Sequence, residues 1–202
     1  MRKLSTCIIA LGCVLIIGAF VLTGLNLLED KRAGDAAQEA LGALQSAISE
    51  SKFDLPSSED SDGETSDNEM SEIEIDGQRF IGIISIPGLK LELPVMADWS
   101  YPKMKLAPCR YKGSIYQNDM VIIGHNYQNF FRDLKHLNPG NSVVFTDSEN
   151  NVFHYIVKET EQLGPKDVDK LLAGDWDLTL VTCTRGGQFR VTVRCTLTEV
   201  SL

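Results

Sequence analysis

One cysteine of this sequence lies where nucleophiles are commonly placed, at the end of a strand and just before a turn. The run Thr179-Leu180-Val181-Thr182-Cys183 is rich in β-branched residues, and turn-forming residues follow it at 184–188. A strand holds a thiol rigidly, and the end of the strand leaves it accessible. A cysteine attacks as the thiolate, so it needs a cation or a base nearby. Taken alone, Cys183 fits a nucleophile and a buried core cysteine equally well.

The hairpin that follows Cys183 selects an arginine to lie beside the thiol. With Gly186-Gly187 at the turn, Cys183 and Arg190 are symmetric about it and lie opposite each other in an antiparallel pair. Opposite side chains share a face, with Cβ atoms roughly 4.5–5.5 Å apart. Arg194 shares this face but lies about 13 Å further along, at about 3.3 Å per residue. The other face of the strand, predicted to be interior, carries Val191, Val193 and Cys195.

A histidine follows the apolar strand predicted over Met120–Ile123, in the run Gly124-His125-Asn126. An imidazole at that position is held rigidly yet stays reachable, as a general acid/base requires. A histidine that only satisfies loop backbone is the alternative for His125. The other two histidines, His136 and His154, are expected on a helix surface and a strand surface.

The N-terminal residues predict a membrane anchor. The run from Leu4 to Leu28 contains no charged residue and can cross a bilayer core of roughly 30 Å as a helix. Arg2 and Lys3 precede it and acidic residues follow it, so the positive-inside rule places the N-terminus in the cytoplasm and the remaining chain outside. A cleaved signal sequence is the alternative, but the apolar run is longer than usual for one and no clear cleavage site follows. We therefore predict a retained single-pass anchor over residues 1–28.

Residues 29–70 predict a spacer between this anchor and a folded domain. A short stalk helix is expected over 35–49, because Leu41, Leu44 and Ile48 follow helical spacing. Residues 50–70 are rich in acids, Ser and Gly, which predicts a disordered linker. A calcium-binding loop is the alternative, although no EF-hand ligand register is present. The formal net charge of -9 comes mostly from this part of the chain, since residues 1–70 hold 12 Asp and Glu against 5 Lys and Arg.

From residue 71 to residue 202 the sequence predicts a single mostly β domain. Short β-type runs alternate with turn residues, and only two short helical pieces interrupt them, at 129–137 and 166–173. This pattern favours a closed, mostly antiparallel β-barrel over a βαβ sheet. No basic stripe with interleaved aromatic residues is present, so nucleic-acid binding is not expected. Three cysteines lie outside the predicted anchor, so at least one thiol should be free, and a disulfide between Cys109 and Cys195 stays open.

In combination, these motifs resemble the sortase family. Thr179-Leu180-Val181-Thr182-Cys183 looks like the family's Thr-Leu-x-Thr-Cys signature, and Gly124-His125-Asn126 followed by Phe131, Leu134 and Leu137 resembles its histidine segment. Residues 81–87 with Leu93-Pro94-Val95 are similar to its opening strands. The resemblance covers roughly residues 73–202, behind the kind of N-terminal anchor that such enzymes usually carry.

The resemblance implies a fold and a site. The fold would be an eight-stranded sortase-type β-barrel with its active groove on the surface. The nucleophile would be Cys183, the acid/base His125 and the oxyanion-stabilising arginine Arg190. Further substrate contacts are expected from Thr182, Asn126 and Arg185, although a solvated charge is the alternative for Arg185.

The resemblance also implies an activity and its partners. The enzyme would cleave a Leu-Pro-x-Thr-Gly-like sorting signal on a protein substrate and transfer the acyl group to an amine, either a cell-wall peptide or a pilin lysine. This chemistry requires no metal or other cofactor. Two alternatives stay open, a cysteine hydrolase on the same scaffold and a membrane-tethered binding module in which Cys183 is merely buried.

Overall fold

The computed structural model describes residues 2–51 and 70–201, and the chain divides into two compact units, 1–32 and 33–202. Residues 52–69, which hold most of the predicted acidic linker, lie outside the described residues. The first element is one long helix, α1 (Arg2–Ser51). It is much longer than the predicted 35–49 helix, because no proline interrupts the chain between the apolar run and the alanine-rich segment.

Within the first unit, α1 exposes large apolar side chains on every side. Leu15 and Phe20, for example, are 66% and 74% exposed. A helix that is apolar all round gains stability only where water is excluded. The helix is long and apolar enough to cross a membrane, which is consistent with the predicted anchor.

The described residues of the second unit that follow α1 form nine strands and a few short helices. The strands are β1 (Ile73–Ile75), β2 (Gln78–Ile86), β3 (Leu91–Met96), β4 (Cys109–Lys112), β5 (Met120–Gly124), β6 (Ser142–Asp147), β7 (Val152–Leu163), β8 (Leu178–Cys183) and β9 (Arg190–Ser201). The short α-helices are α2 (Tyr101–Met104) and α3 (Val168–Leu171), and 3-10 turns occupy Pro87–Leu89, Ile115–Gln117 and Arg132–His136. The two predicted helical pieces are therefore shorter than their sequence patterns indicated.

Eight of these strands close into a ring, as predicted. The order around the ring is β2, β3, β4, β5, β8, β9, β7 and β6, and β6 pairs with β2 to close it. Strand β1 forms a hairpin with the start of β2. Most pairs are antiparallel, but β3–β4 and β5–β8 are parallel. The parallel β5–β8 pair is the one that positions the candidate site.

The interior of the ring is a continuous apolar cluster. Val191, Val193 and Cys195 of β9 belong to it, which confirms the interior face predicted from their alternation. The cluster also includes Ile84, Leu93, Ile122, Phe145, Tyr155 and Leu180.

The part of α1 that belongs to the second unit packs against the strands rather than standing free as a stalk. Buried residues follow helical spacing along it, from Ala33 and Ala37 to Leu41, Leu44 and Ile48. The last three form a second apolar cluster with strand and loop residues that include Phe80, Ile83, Met96, Met104 and Cys109. Residues 33–51 are therefore part of the folded unit.

Candidate active site

The ends of two parallel neighbouring strands bring a thiol and an imidazole to one edge of the ring. Gly124 of β5 pairs with Thr182 of β8, so the next residues along the two strands, His125 and Cys183, lie side by side at this edge. The Thr182 hydroxyl donates a hydrogen bond to the Gly124 carbonyl at 2.9 Å, and Thr182 is only 3% exposed. This buried bond joins the two strands one residue before the candidate catalytic groups.

The hairpin between β8 and β9 adds the guanidinium. Cys183 pairs directly with Arg190, in the register predicted from the symmetric turn. Gly186 and Gly187 have φ values of 89° and 73°, a left-handed conformation that favours glycine. The Thr184 amide donates to the Phe189 carbonyl at 2.9 Å, which closes the turn.

The guanidinium of Arg190 rests on the backbone of its own turn. Its Nη1 donates to the carbonyls of Gly187 at 3.0 Å and of Phe189 at 3.3 Å. These bonds lie at the protein surface, where water can replace either partner at small cost. Arg190 also belongs to the lining of the pocket that contains Cys183.

Close aromatic packing fixes the loop that carries His125. The His125 and Tyr127 rings lie 4.9 Å apart between centroids, and Tyr127 in turn contacts Phe130 at 5.6 Å. The Phe131 amide donates to the His125 carbonyl at 3.3 Å. A Cβ added at Gly124 would lie 2.8 Å from the Phe131 ring, so the glycine before the histidine allows this ring to pack.

Burial distinguishes Cys183 from the other two cysteines of the second unit. Cys109 and Cys195 are free thiols that are fully buried, and burial raises the pKa of each to about 12. They belong to separate apolar clusters, and the disulfide left open above is not formed. Cys183 is partly exposed. It is therefore the thiol in this unit that combines access with a neighbouring cation and imidazole.

One pocket of about 270 Å³ contains all three groups. The strand ends supply His125, Thr182, Cys183 and Arg190. A first wall is aromatic and comes from the segment around α2 and β4, with Trp99, Tyr101 and Tyr111. A second wall is mostly apolar and comes from the β7–β8 connection, with Leu163, Gly164, Pro165, Asp167, Val168 and Leu171. The pocket as a whole has a mostly apolar lining with a few convergent polar groups, which is typical of a ligand site.

The structure places the predicted site residues unequally around this pocket. It brings Cys183, His125, Arg190 and Thr182 together in the lining. Thr182 is nearly buried, and its hydroxyl is used within the protein. Asn126 is half-buried and Arg185 is exposed in the β8–β9 turn, and neither belongs to the pocket lining. The catalytic and substrate-binding roles of these residues stay predictions.

Sequence reasoning missed both walls of the pocket. Trp99, Tyr101 and Tyr111 lie in segments for which no strand or helix was predicted. The Trp99 ring contacts the other two, with centroids 6.0 Å apart for Trp99–Tyr101 and 5.6 Å apart for Trp99–Tyr111. A cluster of aromatic residues outside the predicted strands was the signal that could have found this wall. The apolar residues after β7 gave no comparable signal, because their pattern resembles an ordinary surface helix.

The fold and the pocket define a class of protein, a closed eight-stranded ring that carries a thiol, an imidazole and a guanidinium at its edge. A family model described as the Sortase domain matches residues 84–198, which is more than half of the chain. The chain belongs to the sortase family, a family of cysteine transpeptidases.

Individual relatives agree with this assignment. The chain is 26% identical over 121 residues to Sortase A of Bacillus anthracis, and this match covers 57% of each protein. The chain thus spans little more than half the length of this curated relative.

Solved structures share the fold. Sortase C1 from Streptococcus agalactiae matches with a TM-score of 0.56 and 26% identity, covering 64% of this chain and 73% of that one. A Clostridium perfringens Sortase D5 transpeptidase matches with a TM-score of 0.59 and 20% identity, covering 82% of this chain and 99% of that one. The three relatives are named as sortases A, C1 and D5, so their names place them in three different sortase classes.

Proposed function

We propose that the chain is a membrane-anchored transpeptidase in which Cys183 is the nucleophile, His125 the general acid/base and Arg190 the oxyanion donor. The Cys183 thiolate attacks the carbonyl carbon of a peptide bond, and a thioester forms as that bond breaks. His125 gives a proton to the departing amine. An incoming amine then attacks the thioester, gives a proton to His125 and leaves with the acyl group, which restores the thiolate.

The observation that carries this proposal is the shared pocket. Cys183, His125 and Arg190 line it together, and the pairings of β8 with β5 and β9 bring the three residues to one edge of the ring. Groups that act on one peptide bond must lie within reach of the same few atoms. Their common place in this pocket supports the proposal, since Cys183 and Arg190 stand at strand ends and His125 directly follows one.

Arg190 is well suited to a role that begins when substrate binds. A single preorganised oxyanion donor is worth about 3 kcal/mol of transition-state stabilisation. The guanidinium now donates to two neutral carbonyls at the surface, and its attraction to the full negative charge of an oxyanion is stronger than its attraction to a carbonyl dipole. Replacing the Gly187 and Phe189 carbonyls with the oxyanion is therefore favourable in the transition state. A neutral substrate carbonyl in the ground state offers no such gain.

The proposed substrate is a protein that ends in a Leu-Pro-x-Thr-Gly-like sorting signal. Such a signal presents leucine and proline side chains, which the apolar and aromatic walls of the pocket can bury. The family resemblance supports an acceptor amine from a cell-wall peptide or a pilin lysine.

The proposed organisation places the N-terminus in the cytoplasm and the catalytic strands outside. Residues 1–28 form the single-pass anchor, residues 29–70 link it to the domain, and residues 71–202 carry the site, with residues 33–51 packed on them. The basic residues Arg2 and Lys3 before the apolar run, against Glu29 and Asp30 after it, support this orientation.

The test uses the full-length chain in detergent micelles and a set of sorting-signal peptides. We expect mass spectrometry to detect an acyl adduct on the peptide that contains Cys183, and a ligated product once an amine such as triglycine is added. Cys183→Ala should abolish both, whereas Cys195→Ala, which changes a buried thiol, should retain both.

Two other results would point elsewhere. Cleavage without ligation at any amine concentration would identify a hydrolase. Absence of an adduct, together with alkylation of Cys183 that is unchanged in His125→Ala and Arg190→Ala, would identify a binding module.

A further inference from the structure

The connection between β7 and β8 crosses over the outer face of β9. Strand β7 ends at Leu163, opposite Arg190, whereas β8 begins at Leu178, opposite Cys195. Because β9 lies between β7 and β8 in the ring, the connection must pass across it. Helix α3 lies in this connection and supplies the second wall of the pocket.

Arg194 lies beneath this connection. Along β9, Arg190, Thr192 and Arg194 alternate with the interior residues and so share the outer face. Outer residues of such a ring are normally solvated, yet Thr192 and Arg194 are 0% and 3% exposed. The guanidinium of Arg194 is thus buried outside the core.

The hydrogen bonds of Arg194 reach the end of α3. Its Nη1 donates to the Leu171 carbonyl at 2.7 Å, and its Nη2 donates to the Lys170 carbonyl at 2.8 Å. Its Nε donates to the Glu161 carboxylate of β7 at 2.9 Å, and Nη1 also donates to the Thr179 hydroxyl of β8 at 3.2 Å. One side chain therefore joins both flanking strands to the last turn of α3.

Apolar packing gives α3 little support of its own. Every residue of α3 is at least partly exposed, and Val168 and the following Leu172 are 42% and 38% exposed. The Glu161 carboxylate neutralises the guanidinium, which reduces the cost of burying its charge. Charge-assisted hydrogen bonds to backbone carbonyls are also stronger than hydrogen bonds between neutral groups. The bonds from Arg194 are thus the main described link between α3 and the ring.

We propose that Arg194 is a positioning residue that holds the α3 wall of the pocket in place and thereby sets the affinity for the peptide. It acts through Leu171 and Val168, which line the pocket. This inference rests on the proposed function for its consequence in turnover, but the clamp itself is a structural claim that can be measured without turnover.

The test compares Arg194→Lys with the parent full-length chain in detergent. Lysine keeps the charge but cannot donate in the same forked geometry. We expect the amides of Leu171 and Leu172, which bond to Asp167 and Val168 at 3.0 Å, to exchange with solvent faster by about tenfold, the factor that corresponds to one lost hydrogen bond. Amides of β5 and β8 should exchange at the parent rate.

The kinetic readout separates positioning from general damage. We expect KM for a sorting peptide to rise by about tenfold while kcat stays within about twofold, the pattern of lost binding that is equal in ground and transition states. Alkylation of Cys183 by iodoacetamide should keep its parent rate. Glu161→Gln, which retains an acceptor for Nε, should give an intermediate increase in KM.

Each contrary result has a defined meaning. Unchanged exchange at Leu171 and Leu172 would overturn the clamp, whether or not the protein turns over a peptide. Faster exchange throughout the ring, with kcat and Cys183 alkylation both altered, would show a general structural role and would also overturn it. Faster exchange at Leu171 and Leu172 with an unchanged KM would show that the position of α3 does not set the affinity for the peptide, and would refute that part of the proposal. Lack of turnover in the parent chain would count against the proposed function alone.

Discussion

Replacing Leu44 with alanine tests whether residues 33–51 of α1 are part of the folded unit. Leu44 is 0% exposed and packs in the cluster that contains Phe80, Met96 and Met104. Truncation of a buried leucine costs about 2–5 kcal/mol, and a site enclosed by both strand and loop residues should lie near the middle of this range. We therefore expect a loss of about 3 kcal/mol, which corresponds to a decrease in Tm of about 6–12 °C for a unit of this size.

Tryptophan fluorescence is a suitable assay for this change. The sequence contains 2 tryptophans, and Trp99 and Trp176 both lie in the second unit, so their thermal transition reports on the ring and not on the apolar helix. The full-length chain in detergent is compared with Leu44→Ala and with Gln45→Ala. Gln45 is the exposed neighbour on the same helix, and its replacement should change the Tm by no more than about 2 °C, as for surface substitutions.

An equal Tm for all three proteins would refute the packing argument. Residues 35–49 would then be a free stalk, as the sequence alone predicted, and a fragment that begins at residue 71 would be as stable as the longer chain. A large decrease for Leu44→Ala alone would instead show that the helix around Leu44 is part of the folded unit.

Two further predictions concern the thiols and the strand-joining hydroxyl. In the native protein at pH 8, iodoacetamide should modify Cys183 and leave Cys109 and Cys195 unmodified until urea unfolds the chain, as peptide mass mapping would show. Burial raises the pKa of both thiols from 9.0 to about 12. Their contribution to stability is therefore complete below pH 9 and decreases as the pH rises towards 12. A free energy of unfolding that stays constant across this window in urea titrations would contradict the burial of these thiols. Thr182→Val removes the donor to the buried Gly124 carbonyl and should lower the free energy of unfolding by about 1–3 kcal/mol, whereas Thr182→Ser keeps the donor and should lose less. Equal urea midpoints for the parent and Thr182→Val would show that the bond between β5 and β8 contributes nothing.

The local part of the site could be predicted from sequence. Cys183 and Arg190 are joined by a short hairpin, so turn symmetry fixes their register, and the structure has that pairing. The strands over Met120–Gly124 and Leu178–Cys183 also begin and end where their apolar patterns do. Strand β4 was missed because its residues, Cys109–Lys112, are few and include two basic side chains.

The long-range part of the site could not be derived from residue patterns. His125 lies beside Cys183 because β5 and β8 are parallel neighbours, although 58 residues separate Gly124 from Thr182. Periodicity identifies a strand but does not identify its partner, and only the family resemblance brought the two residues together. For the same reason, the spacing of Leu41, Leu44 and Ile48 showed that one face of α1 was apolar but did not show what would cover it.

The two buried thiols have a practical consequence for the scaffold. Cys109 and Cys195 lie in separate apolar clusters, so no cross-link contributes to the strength of the ring, and a reductant such as dithiothreitol leaves it intact. The reagent that keeps Cys183 reduced therefore does not weaken the fold around it. Peroxide should act first at Cys183, where a sulfenic acid can form and be reversed by thiols. We therefore expect Cys183 to be oxidised and reduced again without unfolding of the ring.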